Sequence, residues 1–146
     1  MKKVLFIGAG EIGTALARVI GSRANVEMWD KNPERAPGMR TLEENIPEAS
    51  VIFLCVPSWT VRELLVRIAS LLRPETVVVS LAKGIEENTL LTMDAVLNES
   101  LPANQRLGIL GGPLLAEELM TGLPGIGVFA SSSRESFNDV ASLFTD

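Results

Sequence analysis

The stretch Val4-Leu5-Phe6-Ile7-Gly8-Ala9-Gly10-Glu11-Ile12-Gly13 decides the fold, because it joins a short apolar run to a glycine-rich loop. The apolar residues 4–7 predict a buried β-strand. The glycines match the pattern G-x-G-x-x-G, and the apolar residues from Ile12 to Ile20 then recur at helical spacing. A strand, a glycine loop and a helix in this order are the context in which the motif binds a dinucleotide.

Each glycine of the loop has a distinct predicted role. Gly8 allows the tight turn, Gly10 lets the backbone approach a pyrophosphate, and Gly13 lets the helix pack closely on the sheet. The positive end of the helix dipole favours a bound anion. Glu11 lies beside the expected pyrophosphate, and because like charges repel, we expect its side chain to point into solvent.

Asp30 is the second element of the predicted cofactor site. It lies about 20 residues past the loop, at the end of the predicted strand 26–29, where an acid accepts hydrogen bonds from an adenosine ribose. A carboxylate there repels a 2′-phosphate and favours NAD, whereas Lys31 and Arg35 follow closely and leave NADP possible. Two alternatives stay open at this point: a structural glycine turn with a solvated Asp30, and a site for S-adenosylmethionine.

The rest of the chain alternates short β-rich runs with helical stretches. This alternation predicts an α/β fold, a Rossmann-type doubly wound, mostly parallel six-stranded sheet with helices on both faces, formed as one domain over residues 1–146. The six strands are predicted at residues 4–7, 26–29, 51–56, 76–81, 107–110 and 126–130.

Polar residues and prolines predict where several helices begin. Thr60 with Glu63, and Ser132 with Glu135, have the spacing of capping boxes. Pro113 suits the first turn of the helix after the fifth strand.

Composition excludes several classes of site. The formal net charge is −5, which argues against nucleic acid as a partner, because phosphate binding needs a basic surface. The sequence has no histidine and no tyrosine, so it cannot contain a Ser-His-Asp triad, a His-based metal site or a catalytic Tyr–Lys pair, and no metal is predicted.

The single cysteine, Cys55, lies in an apolar run and is predicted to be a buried core thiol. The first apolar run is too short for a signal peptide or a membrane span, which favours a cytoplasmic protein.

Four segments together carry a resemblance to a known family. They are the glycine loop with its helix (residues 8–17), Val56-Pro57-Ser58, Ala82-Lys83-Gly84, and Gly112-Pro113-Leu114-Leu115-Ala116-Glu117-Glu118. Over essentially the whole chain, the sequence resembles the N-terminal cofactor-binding domain of NAD(P)-dependent glycerol-3-phosphate dehydrogenases. The Lys-Gly segment followed by Gly-Pro-x-x-Ala-x-Glu is the more specific part of this match.

The resemblance implies a role for each matched position. The residues expected around the pyrophosphate are Gly8, Gly10, Glu11, Ile12 and Gly13. The residues expected along the rest of the cofactor are Asp30 and Lys31 at the adenosine ribose, Pro57 and Ser58 after a strand end, and Ala116 and Glu118 near the nicotinamide.

Lys83 and Gly112 are the residues that the resemblance assigns to the substrate. Lys83 is expected to reach the reactive end of the cofactor, where a cation orients a phosphate or polarises a carbonyl. Gly112 is expected to help bind the substrate. Leu114 departs from the family, which usually has Ser or Thr there to bind substrate.

The resemblance implies an oxidoreductase that transfers a hydride between nicotinamide and sn-glycerol 3-phosphate or dihydroxyacetone phosphate. In the family, a C-terminal helical domain supplies a second lysine and most substrate contacts. We expect that domain to be absent here and this chain alone to be inactive. Surfaces left exposed by its absence would favour a homo-oligomer. The alternatives are a non-catalytic dinucleotide-binding module and the cofactor domain of another hydroxy-acid or imine dehydrogenase.

Overall fold

The computed structural model describes residues 1–145, so Asp146, the last residue of the predicted domain, lies outside the described residues. Within them, six strands form one sheet in the order β2-β1-β3-β4-β5-β6. The strands are β1 (Lys2–Ile7), β2 (Ala24–Trp29), β3 (Val51–Leu54), β4 (Val77–Ser80), β5 (Arg106–Gly111) and β6 (Val128–Ala130). The first five are parallel, and β6 pairs antiparallel with β5. The predicted six-stranded, mostly parallel sheet is therefore confirmed.

Helices cover both faces of the sheet. They are α1 (Glu11–Ile20), α2 (Leu42–Asn45), α3 (Ser58–Ile68), α4 (Met93–Ser100), α5 (Ala116–Met120) and α6 (Arg134–Ala141). One apolar cluster joins the sheet to α2, α3 and α4, and a second joins its opposite face to α1 and α6. All four residues of β3 are buried, as expected for a central parallel strand covered on both faces. Among the described residues, no helix combines the length and apolar character needed to cross a bilayer.

The capping box predicted at Thr60 and Glu63 is wrong. Helix α3 already begins at Ser58, and Pro57 occupies the N-cap position with an extended backbone. Thr60 therefore lies in the first helical turn, where its hydroxyl donates a hydrogen bond to the Pro57 carbonyl at 2.8 Å. The capping box in this part of the chain lies earlier, where Thr41 and Glu44 begin α2.

Two further helix starts differ from the sequence prediction by one to three residues. The N-cap of α6 is Ser133 rather than Ser132, and its hydroxyl oxygen accepts from the Ser136 amide at 3.2 Å. Pro113 precedes α5, which begins only at Ala116. Gly112 has a φ of +109°, so the chain leaves β5 in a conformation that no helix can continue, and Pro113 falls in the turn that follows.

Candidate functional site

The glycine loop connects β1 to α1 with the geometry that its glycines predict. Gly8 has a φ of +106°, and its amide donates to the Trp29 carbonyl at 2.8 Å. A Cβ at Gly8 would collide with the carbonyl oxygen of Cys55, and a Cβ at Gly13 would collide with the carbonyl oxygen of Gly8. These two glycines are therefore required by close packing of loop, helix and sheet.

Gly10 differs from the other two glycines because its surroundings are open. Apart from its two chain neighbours, no described residue has a heavy atom within 4 Å of the position that its Cβ would take, and its φ of −76° suits any residue. The fold itself does not require glycine here. The open space at Gly10 is what a ligand needs in order to approach the backbone.

The N-terminus of α1 faces the same open space. Gly10 is the N-cap and gives no side-chain hydrogen bond to the helix. The amides of the first turn lack intrahelical partners, and this end of the helix lies beside a groove of about 810 Å³. This groove is lined by Ala9, Gly10, Glu11, Thr14, Arg35, Ala116, Glu117 and Met120. The side chain of Glu11 is exposed, as predicted.

Asp30 is buried at the end of β2 and is tied to the glycine loop. Asp30 is only 7% exposed to solvent. One carboxylate oxygen, Oδ2, accepts from the Ala9 amide at 2.7 Å, and the other, Oδ1, accepts from the Asn32 amide at 2.8 Å. Each oxygen has a second lone pair, so the carboxylate can still accept from a ligand hydroxyl.

A cleft of about 370 Å³ runs from the glycine loop along the ends of β2 and β3 to helix α3. It brings together five residues that the sequence predicted for the cofactor: Gly8, Gly10, Asp30, Lys31 and Pro57. Ser58 is half-buried at the start of α3 and is not among the residues that line this cleft.

Arg67 is a cleft residue that the sequence prediction missed. It lies on α3 with Thr60 and Leu64, which also line the cleft. Its guanidinium carbon is 5.6 Å from the centroid of the Trp29 ring. The spacing of 60, 64 and 67, which places three residues on one helix face, is the signal that could have found it.

Lys83 lies in a second cavity, of about 320 Å³, at the carboxyl ends of β4 and β5. Its side chain is exposed, and Thr92, Asp94 and Gly111 line the same cavity. Gly112 follows directly after Gly111 and is exposed. Lys83 and Gly111, the residue before Gly112, thus line the same cavity, as the predicted substrate site requires.

The segment after Lys83 is anchored to α3 by a bidentate ion pair. Arg62 Nε donates to Glu86 Oε1 at 2.7 Å, and Nη2 donates to Oε2 at 2.8 Å. The hydrogen bonds from Arg62 and then from Thr89 lower the pKa of Glu86 to about 2. Glu86 stays charged at neutral pH and holds the chain three residues from Lys83.

Of the two residues expected near the nicotinamide, Ala116 lines the groove and Glu118 does not. Ala116 lines the groove beside Gly10, as expected for a residue near the cofactor. Glu118 is exposed and is not among the residues lining the groove, where its neighbour Glu117 lies instead. Leu114 is half-buried and packs against the second apolar cluster, so it contributes to folding.

Cys55 packs against the second apolar cluster, as the prediction of a buried core thiol requires, but it is only half-buried. It follows the last residue of β3 and lines the 370 Å³ cleft. Burial raises the pKa of its thiol to about 12. The thiol is therefore neutral at physiological pH and forms part of the cleft wall.

Curated relatives and solved structures match the chain over nearly its full length. A glycerol-3-phosphate dehydrogenase [NAD(P)+] of Clostridium perfringens is 30% identical over 169 aligned residues, covering 100% of this chain and 51% of the relative. The corresponding enzyme of Carboxydothermus hydrogenoformans is 35% identical, covering 98% of this chain and 50% of the relative. This chain thus spans about half the length of the curated relatives that it matches.

The structural comparisons agree with the described fold. Glycerol-3-phosphate dehydrogenase from Coxiella burnetii superposes with a TM-score of 0.87 at 22% identity, covering 99% of this chain and 51% of that chain. Plasmodium falciparum pyrroline carboxylate reductase, solved with NADP bound, has a TM-score of 0.73 at 18% identity, covering 98% of this chain and 54% of that chain. Identities this low show the shared fold alone.

The family model described as the N-terminus of NAD-dependent glycerol-3-phosphate dehydrogenase matches residues 33–137, which is well over half of the chain. This match begins after the glycine loop and includes Lys83 and Gly112, so it does not rest on the motif common to many dehydrogenases. The chain described here belongs to the NAD-dependent glycerol-3-phosphate dehydrogenase family and matches its N-terminal domain.

Proposed function

We propose that this chain is the NAD(P)-binding domain of an oxidoreductase that interconverts sn-glycerol 3-phosphate and dihydroxyacetone phosphate. The observation that carries the proposal is the open space at Gly10, between the uncapped end of α1 and the carboxylate of Asp30. A glycine loop that leads into a helix start without side-chain capping, beside a carboxylate able to accept from a ribose, has the chemistry of a dinucleotide site.

The residues present fit a dinucleotide along its length. The amides at the start of α1 would hold the pyrophosphate, with Gly10 allowing close approach. Asp30 would accept hydrogen bonds from the adenosine ribose, and Pro57 would line the cleft beyond it. The groove beside Ala116 would take the nicotinamide half. When bound, the nicotinamide ring supplies the hydride donor or acceptor of the reaction.

NAD is the cofactor that Asp30 favours. Its carboxylate is buried and fixed by two backbone amides, so it cannot swing away from a 2′-phosphate without breaking both hydrogen bonds. Lys31 and Arg35 line the same cleft and supply positive charge that keeps NADP binding possible. We therefore expect NAD to bind more tightly than NADP.

Lys83 is the residue that we propose to orient the substrate. Its ammonium group can pair with a phosphate or polarise a ketone oxygen from the edge of the 320 Å³ cavity, with the backbone near Gly112 alongside. The curated relatives are about twice as long. In our proposal, the helical half that this chain does not match supplies the second lysine and most substrate contacts, so the chain alone binds cofactor without turnover.

Location and assembly belong to the same proposal. We expect a cytoplasmic protein. We also expect it to self-associate, because several large apolar side chains between residues 115 and 128 are more than half exposed. They are Leu115, Leu123, Ile126 and Val128. Sedimentation velocity at several concentrations tests the self-association.

Calorimetric titration of the chain with NAD, NADP and S-adenosylmethionine tests the cofactor assignment. Binding of NAD, with weaker binding of NADP and none of S-adenosylmethionine, is the expected result. Binding of S-adenosylmethionine alone would contradict the proposal. Oxidation of NADH by dihydroxyacetone phosphate, followed by the loss of the absorbance of reduced nicotinamide, then tests the reaction. This assay uses a protein that carries both the cofactor domain and the helical half.

A further inference from the structure

The cleft beyond Asp30 ends at an arginine that is held on two sides. The guanidinium carbon of Arg67 lies 5.6 Å from the centroid of the Trp29 ring. Arg67 Nη2 also donates to Glu43 Oε1 at 3.3 Å. The indole and the carboxylate together restrict the orientation of the guanidinium group.

The position of Arg67 places it on the wall of the cleft. Thr60, Leu64 and Arg67 form one stripe of α3, and all three line the 370 Å³ cleft. Trp29 and Asp30, at the end of β2, line the same cleft, and the Trp29 ring packs against the Arg67 guanidinium. The cleft therefore extends from the Asp30 carboxylate to the Arg67 guanidinium.

The shape of a nucleotide indicates what would lie in this part of the cleft. A ribose held by Asp30, with its phosphate directed towards Gly10, leaves its base pointing away from the loop. The lining of the cleft includes Val56, Pro57 and Leu64, which are apolar and suit the faces of a flat ring. A guanidinium plane is a good stacking partner for such a ring.

We infer that Arg67 is the base-binding residue of this cleft and stacks its guanidinium group on the adenine of the dinucleotide. The inference rests on the proposed function. Trp29 and Glu43 are positioning residues, because they hold the guanidinium in place from behind and from one edge.

The Arg67–Glu43 pair by itself does not account for the arrangement. The two side chains are 53% and 56% exposed, and exposed ion pairs of this kind contribute little to stability. The fold therefore does not depend on Arg67, and variants at this position are expected to fold.

Calorimetry with NAD and ADP-ribose tests the inference on four proteins: the wild type, Arg67→Ala, Arg67→Lys and Arg134→Ala. Arg134 is an exposed arginine on α6, so its removal changes the net charge equally but leaves the cleft intact. Arg67→Ala is expected to weaken both ligands by the same factor, about 5- to 20-fold, because both carry the adenosine half. Arg67→Lys keeps the charge but not the plane, so it is expected to resemble Arg67→Ala, and Arg134→Ala is expected to resemble the wild type.

Three results would overturn the inference. They are unchanged affinity in Arg67→Ala, restored affinity in Arg67→Lys, and a loss confined to NAD. A wild-type chain that binds no NAD defeats the proposed function, and this inference falls with it. Normal binding by the wild type and by Arg67→Ala defeats this inference alone.

Tryptophan fluorescence gives a second, local measurement. The chain has two tryptophans, and Trp59 is 75% exposed, so Trp59→Phe leaves Trp29 as the only indole without disturbing the core. Saturating ADP-ribose is expected to change the Trp29 emission, because the base would lie against the guanidinium that covers that ring. Unchanged emission at saturation would contradict the placement.

Discussion

The carboxylate of Asp30 accepts a hydrogen bond from the backbone amide of Ala9 at 2.7 Å, which ties the end of β2 directly to the glycine loop. The other carboxylate oxygen accepts from the Asn32 amide at 2.8 Å. Asp30 therefore has a structural role in addition to the proposed contact with a ribose, because it fixes the loop through one oxygen and the chain after β2 through the other.

Replacing Asp30 by asparagine tests this structural role. The asparagine side chain has one oxygen where the carboxylate has two, so one of the two backbone amides would face an NH₂ group and lose its acceptor. We expect a loss of about 1–3 kcal/mol in the free energy of unfolding, measured by urea denaturation at neutral pH. A variant as stable as the wild type would mean that the two hydrogen bonds do not hold the loop.

A pair of glycine variants separates binding from folding. Gly10→Val is expected to fold with nearly unchanged stability, because the space around Gly10 is open, but to abolish dinucleotide binding by filling that space. Gly13→Val is expected to prevent the native packing, because its Cβ would collide with the Gly8 carbonyl. Thermal unfolding and calorimetry with NAD measure the two effects.

The contrast between these two variants is the control. If Gly10→Val binds NAD like the wild type, the glycine loop is not the pyrophosphate site. If Gly13→Val is as stable as Gly10→Val, the close packing of α1 on the loop is wrong.

Sequence patterns predicted the sheet well because its central strands β1, β3 and β4 are largely buried apolar runs. The run from Val51 to Leu54 is buried at every position, so its apolar composition alone indicates a central parallel strand. The antiparallel direction of β6 was not specified, because its three residues carry no signal of direction. Two capping boxes were misplaced, since spacing alone does not show that Pro57 is already the N-cap of α3 or that Ser133, rather than Ser132, is the N-cap of α6.

Site residues were predicted where they belong to a local sequence motif. They were missed where only tertiary packing brings them to the site. Gly8, Gly10 and Asp30 follow from the motif and its distance to the acid. Arg67 shares a helix face with Thr60 and Leu64, but only the packing of α3 beside the end of β2 places that face on the cleft. Glu118 was expected near the cofactor, but the groove is lined by Glu117, because α5 begins at Ala116 and a difference of one residue rotates a helix by about 100°.

The Arg62–Glu86 ion pair predicts a pH dependence of stability. The pKa of Glu86 is lowered from 4.5 to about 2 in the folded chain, so its contribution is present above pH 4.5 and is lost as the pH falls towards 2. Glu86→Gln is therefore expected to be less stable than the wild type at pH 7, with a difference that shrinks steadily between pH 4.5 and 2. Urea denaturation across this range measures the difference.

Glu87→Gln serves as the matched control, because Glu87 is the exposed neighbour of Glu86. Its stability should follow that of the wild type across the same pH range. A constant difference between Glu86→Gln and the wild type from pH 7 to pH 2 would contradict the lowered pKa.

Cys55 gives a chemical test of the cleft. Burial raises the pKa of its thiol from 9.0 to about 12, so the thiolate that reacts with iodoacetamide is scarce. At pH 8 we expect alkylation of the folded chain to be roughly two to three orders of magnitude slower than alkylation of the chain unfolded in urea. Equal rates in the two states would show that the thiol is freely exposed.

The central claim, that residues 8–13 and Asp30 bind a dinucleotide, is tested most directly by an amide-resolved NMR titration of the chain with NAD. We predict saturable shifts that are largest at the amides of Gly10, Glu11, Ile12 and Gly13 and at Asp30, with smaller changes along the cleft to Arg67. A folded chain whose loop amides do not move, whether because NAD does not bind or because the shifts lie elsewhere, would contradict the account.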